Sequence, residues 1–125
     1  MISILAIIDD IFFLAKVQET AKQAGVELKT TRAASCSPET ITQEKPALII
    51  VDLQANSADP AEIIRTLKND PEAKDIPLLA FGRHTQTDLI EAAQKAGADR
   101  VIPRSEFAAN LPEILRGAAT ATLKE

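Results

Sequence analysis

At 125 residues and 46% hydrophobic, the chain has the size and apolar content of one domain with one core, which argues against a two-domain arrangement. Its 14 basic and 18 acidic residues leave a net charge of -4 spread along the chain, not a surface built to neutralise nucleic-acid phosphates. The lone Cys36 excludes an intrachain disulfide and a cysteine-rich metal site, suits a reducing cytosol, and is read as a small half-buried side chain.

The opening run from Met1 to Ile8 is apolar but passes straight into Asp9-Asp10, without a basic flank or small-residue cleavage site, so it predicts a buried strand and not a leader. No apolar run approaches the roughly 20 residues of a membrane span. The expected location is cytoplasmic. Strands are predicted over Ser3 to Ile8, Glu27 to Arg32, Ala47 to Val51, Pro77 to Phe81 and Arg100 to Ile102, alternating with amphipathic helical stretches in the manner of βα units and a parallel sheet. Three of these strands are nearly continuous apolar runs, as expected for strands covered on both faces.

Between them, helix starts are marked by Ser37-Pro38-Glu39 and Asp59-Pro60-Ala61-Glu62, each a capping oxygen before a first-turn proline, and by the capping-box spacing of Thr85-Gln86-Thr87-Asp88. Gly25 and Gly97 follow helical stretches where a left-handed closing residue is wanted. Pro112 interrupts the stretch from Ser105 to Leu123 and is placed in a first helical turn. In helix 1, Phe12, Phe13, Leu14 and Val17 cannot all face the sheet at helical spacing, so one phenyl ring is expected to point outward. The architecture is an α/β three-layer sandwich of five strands and about five helices, a single domain over residues 1–125.

In open parallel sheets, functional groups gather beyond the carboxyl ends of the strands. Strand 1 ends in Asp9-Asp10, strand 3 in Asp52 and strand 4 in Gly82-Arg83, while strand 5 runs into Pro103-Arg104-Ser105. Three carboxylates on one rim repel unless a hard cation or a basic side chain neutralises them. Mg²⁺ suits such an oxygen set, taking Asp10, Asp52 and a backbone carbonyl such as that of Gln54, with Asp9 orienting a metal-bound water. The plainer reading is that Asp9 or Asp10 caps helix 1 and that Asp52 pairs with Arg104. His84 has no second His or Cys beside it and reads as a solvent-facing loop residue.

The blocks Ile4 to Asp10, Pro46 to Leu53, Ile76 to Phe81 and Ala96 to Asp99 resemble, in order and spacing, those of the receiver domain of two-component response regulators, over nearly the whole chain. The resemblance implies a flavodoxin-like fold with a five-stranded parallel sheet in order 2-1-3-4-5 flanked by five helices. It implies that Asp52 accepts a phosphoryl group from a histidine kinase or phosphotransfer protein, with Mg²⁺ held by Asp9 and Asp10. The domain's own chemistry would then be self-phosphorylation and slow dephosphorylation, with signalling through protein contacts. It also implies that helix 1 helps to dock kinases, and that helix 4, strand 5 and helix 5 form the usual dimer or target face.

The departures are specific. Gly82 stands where the family has a Thr or Ser whose hydroxyl binds the phosphoryl group. Arg104 and Ser105 stand where it has Lys and Pro. Val101 aligns with its switching aromatic residue, and the chain has no Tyr or Trp. Arginine forks bidentately onto a carboxylate and is a poor copy of a lysine point charge. Two readings therefore stay open. Either Arg104 substitutes for Lys and Asp52 still accepts phosphate, or Arg104, with Arg83, pairs with Asp52 in space left by Gly82 and the domain is a phosphate-independent pseudo-receiver. A flavodoxin-like nucleotide or flavin binder ranks below both, because the first strand-to-helix turn has no glycine and two repelling aspartates. An enzyme ranks lower still, because His84 lacks a triad context. With no output domain attached, the chain is expected to act through a separate output protein or to be a piece of a longer one.

Overall fold

The computed structural model describes residues 3–124, with side chains over 3–117; Met1 and Ile2, which begin the first apolar run, and Glu125 lie outside the described residues. Among the described residues five strands form, β1 (Ser3–Ile7), β2 (Glu27–Thr31), β3 (Leu48–Asp52), β4 (Leu78–Gly82) and β5 (Arg100–Pro103). All pair in parallel, in the order β2-β1-β3-β4-β5. Every residue of β1, β3 and β4 is buried, whereas β2 and β5 are partly exposed. That split follows from composition. The apolar runs take the middle of the sheet, and Glu-Leu-Lys-Thr-Thr takes an edge, where Glu27 and Lys29 meet at 3.5 Å in solvent.

Side chains alternate between two cores. Leu5, Ile7, Ile49 and Val51 pack with Ile41 of α2 (Pro38–Glu44), Ile64 and Leu67 of α3 (Pro60–Asn69) and Ala93 of α4 (Thr87–Ala96). Ile4, Ala6, Ile8, Ile50 and Phe81 pack on the other face with Val17 and Ala21 of α1 (Ile11–Ala24), Phe107 of α5 (Arg104–Ala109) and Leu111 and Leu115 of α6 (Leu111–Lys124). Residues one apart in a strand thus serve opposite layers, which fixes register on both faces.

The expected start signals at Ser37 and Asp59 form, accepting from the amides of Thr40 and Ala61. Thr85 does not act as expected. A turn closed by Gln86 N to Arg83 O at 2.9 Å makes Gln86 the first helical carbonyl, and α4 starts without a side-chain cap. Gly25 and Gly97 close α1 and α4 with φ of 72° and 111°. Lys45 closes α2 at φ 46°, a left-handed role that its residue type does not announce. The helix count also differs from the five expected, with six α-helices and a 3-10 turn at Ala33–Ser35 among the described residues. Asn110 (φ -108°, ψ 14°) ends α5, and Pro112, lacking an amide to continue that ladder, sits in the first turn of a new helix.

Candidate functional site

The carboxyl ends of β1, β3 and β4 and the start of α5 meet on one rim, as the strand-end rule requires. Asp52, the last residue of β3, is 1% exposed. Its Oδ1 accepts the amide of Gln54 at 2.9 Å, and its Oδ2 lies 3.9 Å from Arg104 Nη1, an ion-pair distance too long for a hydrogen bond. Burial raises its pKa; the Gln54 amide and Arg104 work against that rise, and Asp10 and Asp9 add to it.

The neighbouring aspartates have different tasks. Asp10 caps α1, with Oδ1 accepting from the amides of Phe12 and Phe13 at 3.0 and 3.3 Å, while its Oδ2 accepts from Arg104 Nη2 at 3.4 Å. Asp9 is tied into two loops: Oδ1 accepts from Ala33 N at 2.8 Å, and Oδ2 from Asn56 N and Ser57 N at 3.0 and 2.8 Å. Burial pushes the Asp9 pKa up, but the donors from Ala33, Ser57 and Asn56 outweigh it, and the net shift is downward.

Opposite signs at adjacent carboxyls give a pH test. A depressed folded pKa means that the stability due to Asp9 is present above its unfolded value and lost as pH falls through the folded one. Asp9→Asn, which turns an amide toward donors that need an acceptor, is expected to cost about 1–2 kcal/mol at pH 7. In urea unfolding the gap to wild type should close in acid. A gap independent of pH would show that the charge on Asp9 is not what holds the loops.

Arg104, the first residue of α5, places its guanidinium between Asp10 and Asp52 and 4.3 Å above the ring of Phe13. Phe13 in turn packs against Phe81 and Phe107, whose rings stack at 4.1 Å between centroids. The position of the cation is therefore fixed by an aromatic floor as well as by charge. Arg104 pairs with Asp52, as one of the two open readings has it, but as a bridge between two carboxylates and not a bidentate fork, with Asp10 the nearer. Arg83 is exposed and forms no ion pair with Asp52 among the described residues, and its amide lies 3.4 Å from Gln54 Oε1. Nor does Gly82 leave room for Arg104. A Cβ there would meet Leu53 Cβ at 3.2 Å and Gln54 Oε1 at 3.6 Å, so Leu53 and Gln54 already fill the space.

As arranged, no three His, Cys, Asp or Glu side chains among the described residues are grouped to hold a metal ion. The donor chemistry accounts for this. Both oxygens of Asp9 are used by amides, and the remaining oxygens of Asp10 and Asp52 face a guanidinium. A Mg²⁺ ion on Asp10, Asp52 and the Gln54 carbonyl, with Asp9 orienting its water, would have to share the carboxylate oxygens that face Arg104.

Phe12 is the outward ring and His84 an exposed loop residue, as expected. The contribution of Phe13, and of the Ala33, Asn56 and Ser57 amides, went unforeseen. Phe13 carries a signal in hindsight, as the second aromatic beside the acidic pair. The amides carry none.

No protein-family model and no curated protein matches the chain. Solved structures do. The signal receiver domain of a signal transduction histidine kinase from Syntrophus aciditrophicus aligns over 97% of this chain and 92% of its own, with 18% identity and a TM-score of 0.82. The chain has the receiver fold. A chemotaxis response regulator of Vibrio cholerae matches this receiver fold at 19% identity and TM-score 0.79, over 94% and 98% of the two chains. The receiver domain of a Pseudomonas aeruginosa sensor histidine kinase, solved with a magnesium ion in its active-site cleft, matches at 15% identity and TM-score 0.79, over 91% and 93%. Within the receiver fold, Asp52 lies at the end of the central strand, with Arg104 beside it. No helix among the described residues is long and apolar enough to cross a membrane.

Proposed function

We propose that this domain is a signalling interaction module of the receiver fold that works without phosphate, presenting one fixed conformation to a partner protein. The observation that carries this reading is the bridge formed by Arg104, 3.4 Å from Asp10 and 3.9 Å from Asp52. A guanidinium there provides the positive charge that a divalent metal ion would otherwise bring to the rim. Three further features support it. Asp52 is buried, 1% exposed, which limits the approach of a phosphoryl donor to its carboxyl. Gly82 offers no hydroxyl, and Leu53 closes the space in which one would stand. Asp9 is committed to backbone amides.

A second reading has an observation in its favour. Oδ2 of Asp52 accepts no hydrogen bond among the described residues, while Oδ1 is held by Gln54. It is therefore the one oxygen of that carboxyl left to attack a phosphorus atom. In that reading a histidine kinase or phosphotransfer protein is the donor, Arg104 takes the place of Lys, and Mg²⁺ is held by Asp9, Asp10, Asp52 and the carbonyl of Gln54. Mass spectrometry after incubation with acetyl phosphate and Mg²⁺ separates the two. The first reading expects no adduct. A gain of one phosphoryl group, absent in Asp52→Asn, would establish the second, with acetate as the leaving group.

A further inference from the structure

At the amino ends of β3, β4 and β5, the opposite end of the sheet from the acidic rim, α6 and the strands leave a groove of about 450 Å³. That size falls among small-molecule sites. Leu48, Pro77 and Leu79 line it from the sheet, and Ile114 and Gly117 from the helix. Two features set it apart from an ordinary packing gap. The first is Gly117, in the interior of a 14-residue helix, where glycine is the poorest former after proline. A Cβ placed there would meet nothing within 4 Å, and the backbone is not left-handed, so neither a close approach nor a special φ calls for glycine. What the missing side chain does is keep the groove open. The second feature is charge. Arg100, the first residue of β5, and Glu113, in the first turn of α6, are both exposed and bring opposite charges to the two sides of the groove. Neither forms an ion pair among the described residues. Asp99 also lines the groove, but its Oδ2 accepts from Lys68 Nζ at 2.6 Å and from the Leu78 amide at 2.8 Å, so it is committed to the fold.

We infer that this groove binds a free α-amino acid with a large apolar side chain, its carboxylate paired with Arg100, its ammonium with Glu113, and its side chain laid over Leu48, Leu79 and Ile114 beside Gly117. Charge complementarity selects the class. An apolar carboxylate satisfies Arg100 but meets Glu113 with like charge, and an apolar amine does the reverse; a zwitterion satisfies both. The guanidinium fork takes a carboxylate bidentately, and both charges sit on long, exposed side chains that can turn toward one head group. The lining beneath is apolar, so the ligand's side chain supplies most of the affinity and the charged pair its orientation. This goes beyond the reading of the domain as an interaction module by giving that module a small-molecule ligand. It holds whether or not Asp52 accepts phosphate, because the groove shares no residue with the rim.

Amide NMR of the isotope-labelled full chain, titrated with L-phenylalanine, tests this against 3-phenylpropanoate, which lacks the ammonium, and phenethylamine, which lacks the carboxylate. Saturable shifts are expected at Leu79, Arg100, Ile114 and Gly117 and not at Asp10, Asp52 or Arg104, with each control bound about fivefold more weakly. Arg100→Gln should weaken phenylalanine by a similar factor and abolish its advantage over phenethylamine. Glu113→Gln should do the same with respect to 3-phenylpropanoate. Gly117→Leu occupies the groove, so it should abolish binding while the thermal midpoint stays level or rises, leucine being the better helix former. All three positions are exposed, so each variant is expected to fold, and its spectrum reports directly on that. Equal binding of the three compounds, undiminished binding to Arg100→Gln or Gly117→Leu, shifts confined to the acidic rim, or no saturable shift at all would overturn the proposal. Shifts at the groove produced by concentrating the protein alone would make a second copy the occupant and overturn it equally.

Discussion

Arg104→Met should lower the unfolding free energy at pH 7 by about 2–3 kcal/mol, whereas Asp52→Asn should raise it by about 1 kcal/mol. The reason lies in the burial of Asp52. A carboxylate that is 1% exposed, with Asp9 and Asp10 adding negative charge, is costly in its ionised form, and Arg104 is the cation that offsets the cost. A carboxyl whose folded pKa is raised contributes stability that is fully present below its unfolded pKa and is lost as pH rises through the folded one. Asp52 therefore weakens the fold at neutral pH. Asparagine removes that charge and keeps an oxygen for the Gln54 amide, while Arg104 retains Asp10.

Without Arg104 the Asp52 pKa climbs further, so the deficit of the methionine variant should grow with pH and nearly vanish in acid, where Asp52 is protonated in both proteins. The double variant should recover most of the loss. Urea unfolding at neutral and acid pH reads all of this, and the contribution of Asp9 cancels because every variant keeps it. A deficit for Asp52→Asn at pH 7 would mean that the carboxylate is stabilising and that burial is not the dominant influence on it.

The second large effect is expected at Phe107, which is fully buried and stacked on Phe81 at 4.1 Å. Phe107→Ala should cost about 3–5 kcal/mol, since α6 and the sheet hold the surrounding Leu111, Leu115 and Ile102 too firmly to close the cavity. The loss has a consequence at the site. Phe107 supports Phe13, and Phe13 carries the guanidinium of Arg104, so the variant should also blunt the pH dependence that Arg104 controls. Chemical unfolding gives the first number, and repeating it across the acid range gives the second. A loss below about 1 kcal/mol would mean that the ring cluster is not a packed unit.

The sheet was legible because its physics is local. Three apolar runs bounded by turns admit few alternatives to buried parallel strands, and β3 differs from the expected span by one residue at each end, which brings Asp52 into the strand. Caps at Ser37 and Asp59 were legible for the same reason, since donor and acceptor lie within three residues of each other. Thr85 shows the limit of such spacing rules: the turn from Arg83 to Gln86 takes up the residue meant to cap. The acidic rim could be assembled from strand ends alone, but the tasks within it could not. Asp9 is held by amides 24, 47 and 48 residues away, and no local pattern announces partners at that separation. Gly82 was misleading in the same way, because the space vacated by a side chain is visible in a sequence and the Leu53 that fills it is not.

The central claim is that Arg104, and not a metal, neutralises the rim, and thermal unfolding of the wild-type chain across a Mg²⁺ titration tests it most directly. A ligand that binds only the folded state raises its stability with concentration. The account predicts no Mg²⁺-dependent rise in Tm for the wild type beyond the effect of matched ionic strength. A saturable rise that disappears in Asp52→Asn would contradict it and place a metal where the guanidinium stands.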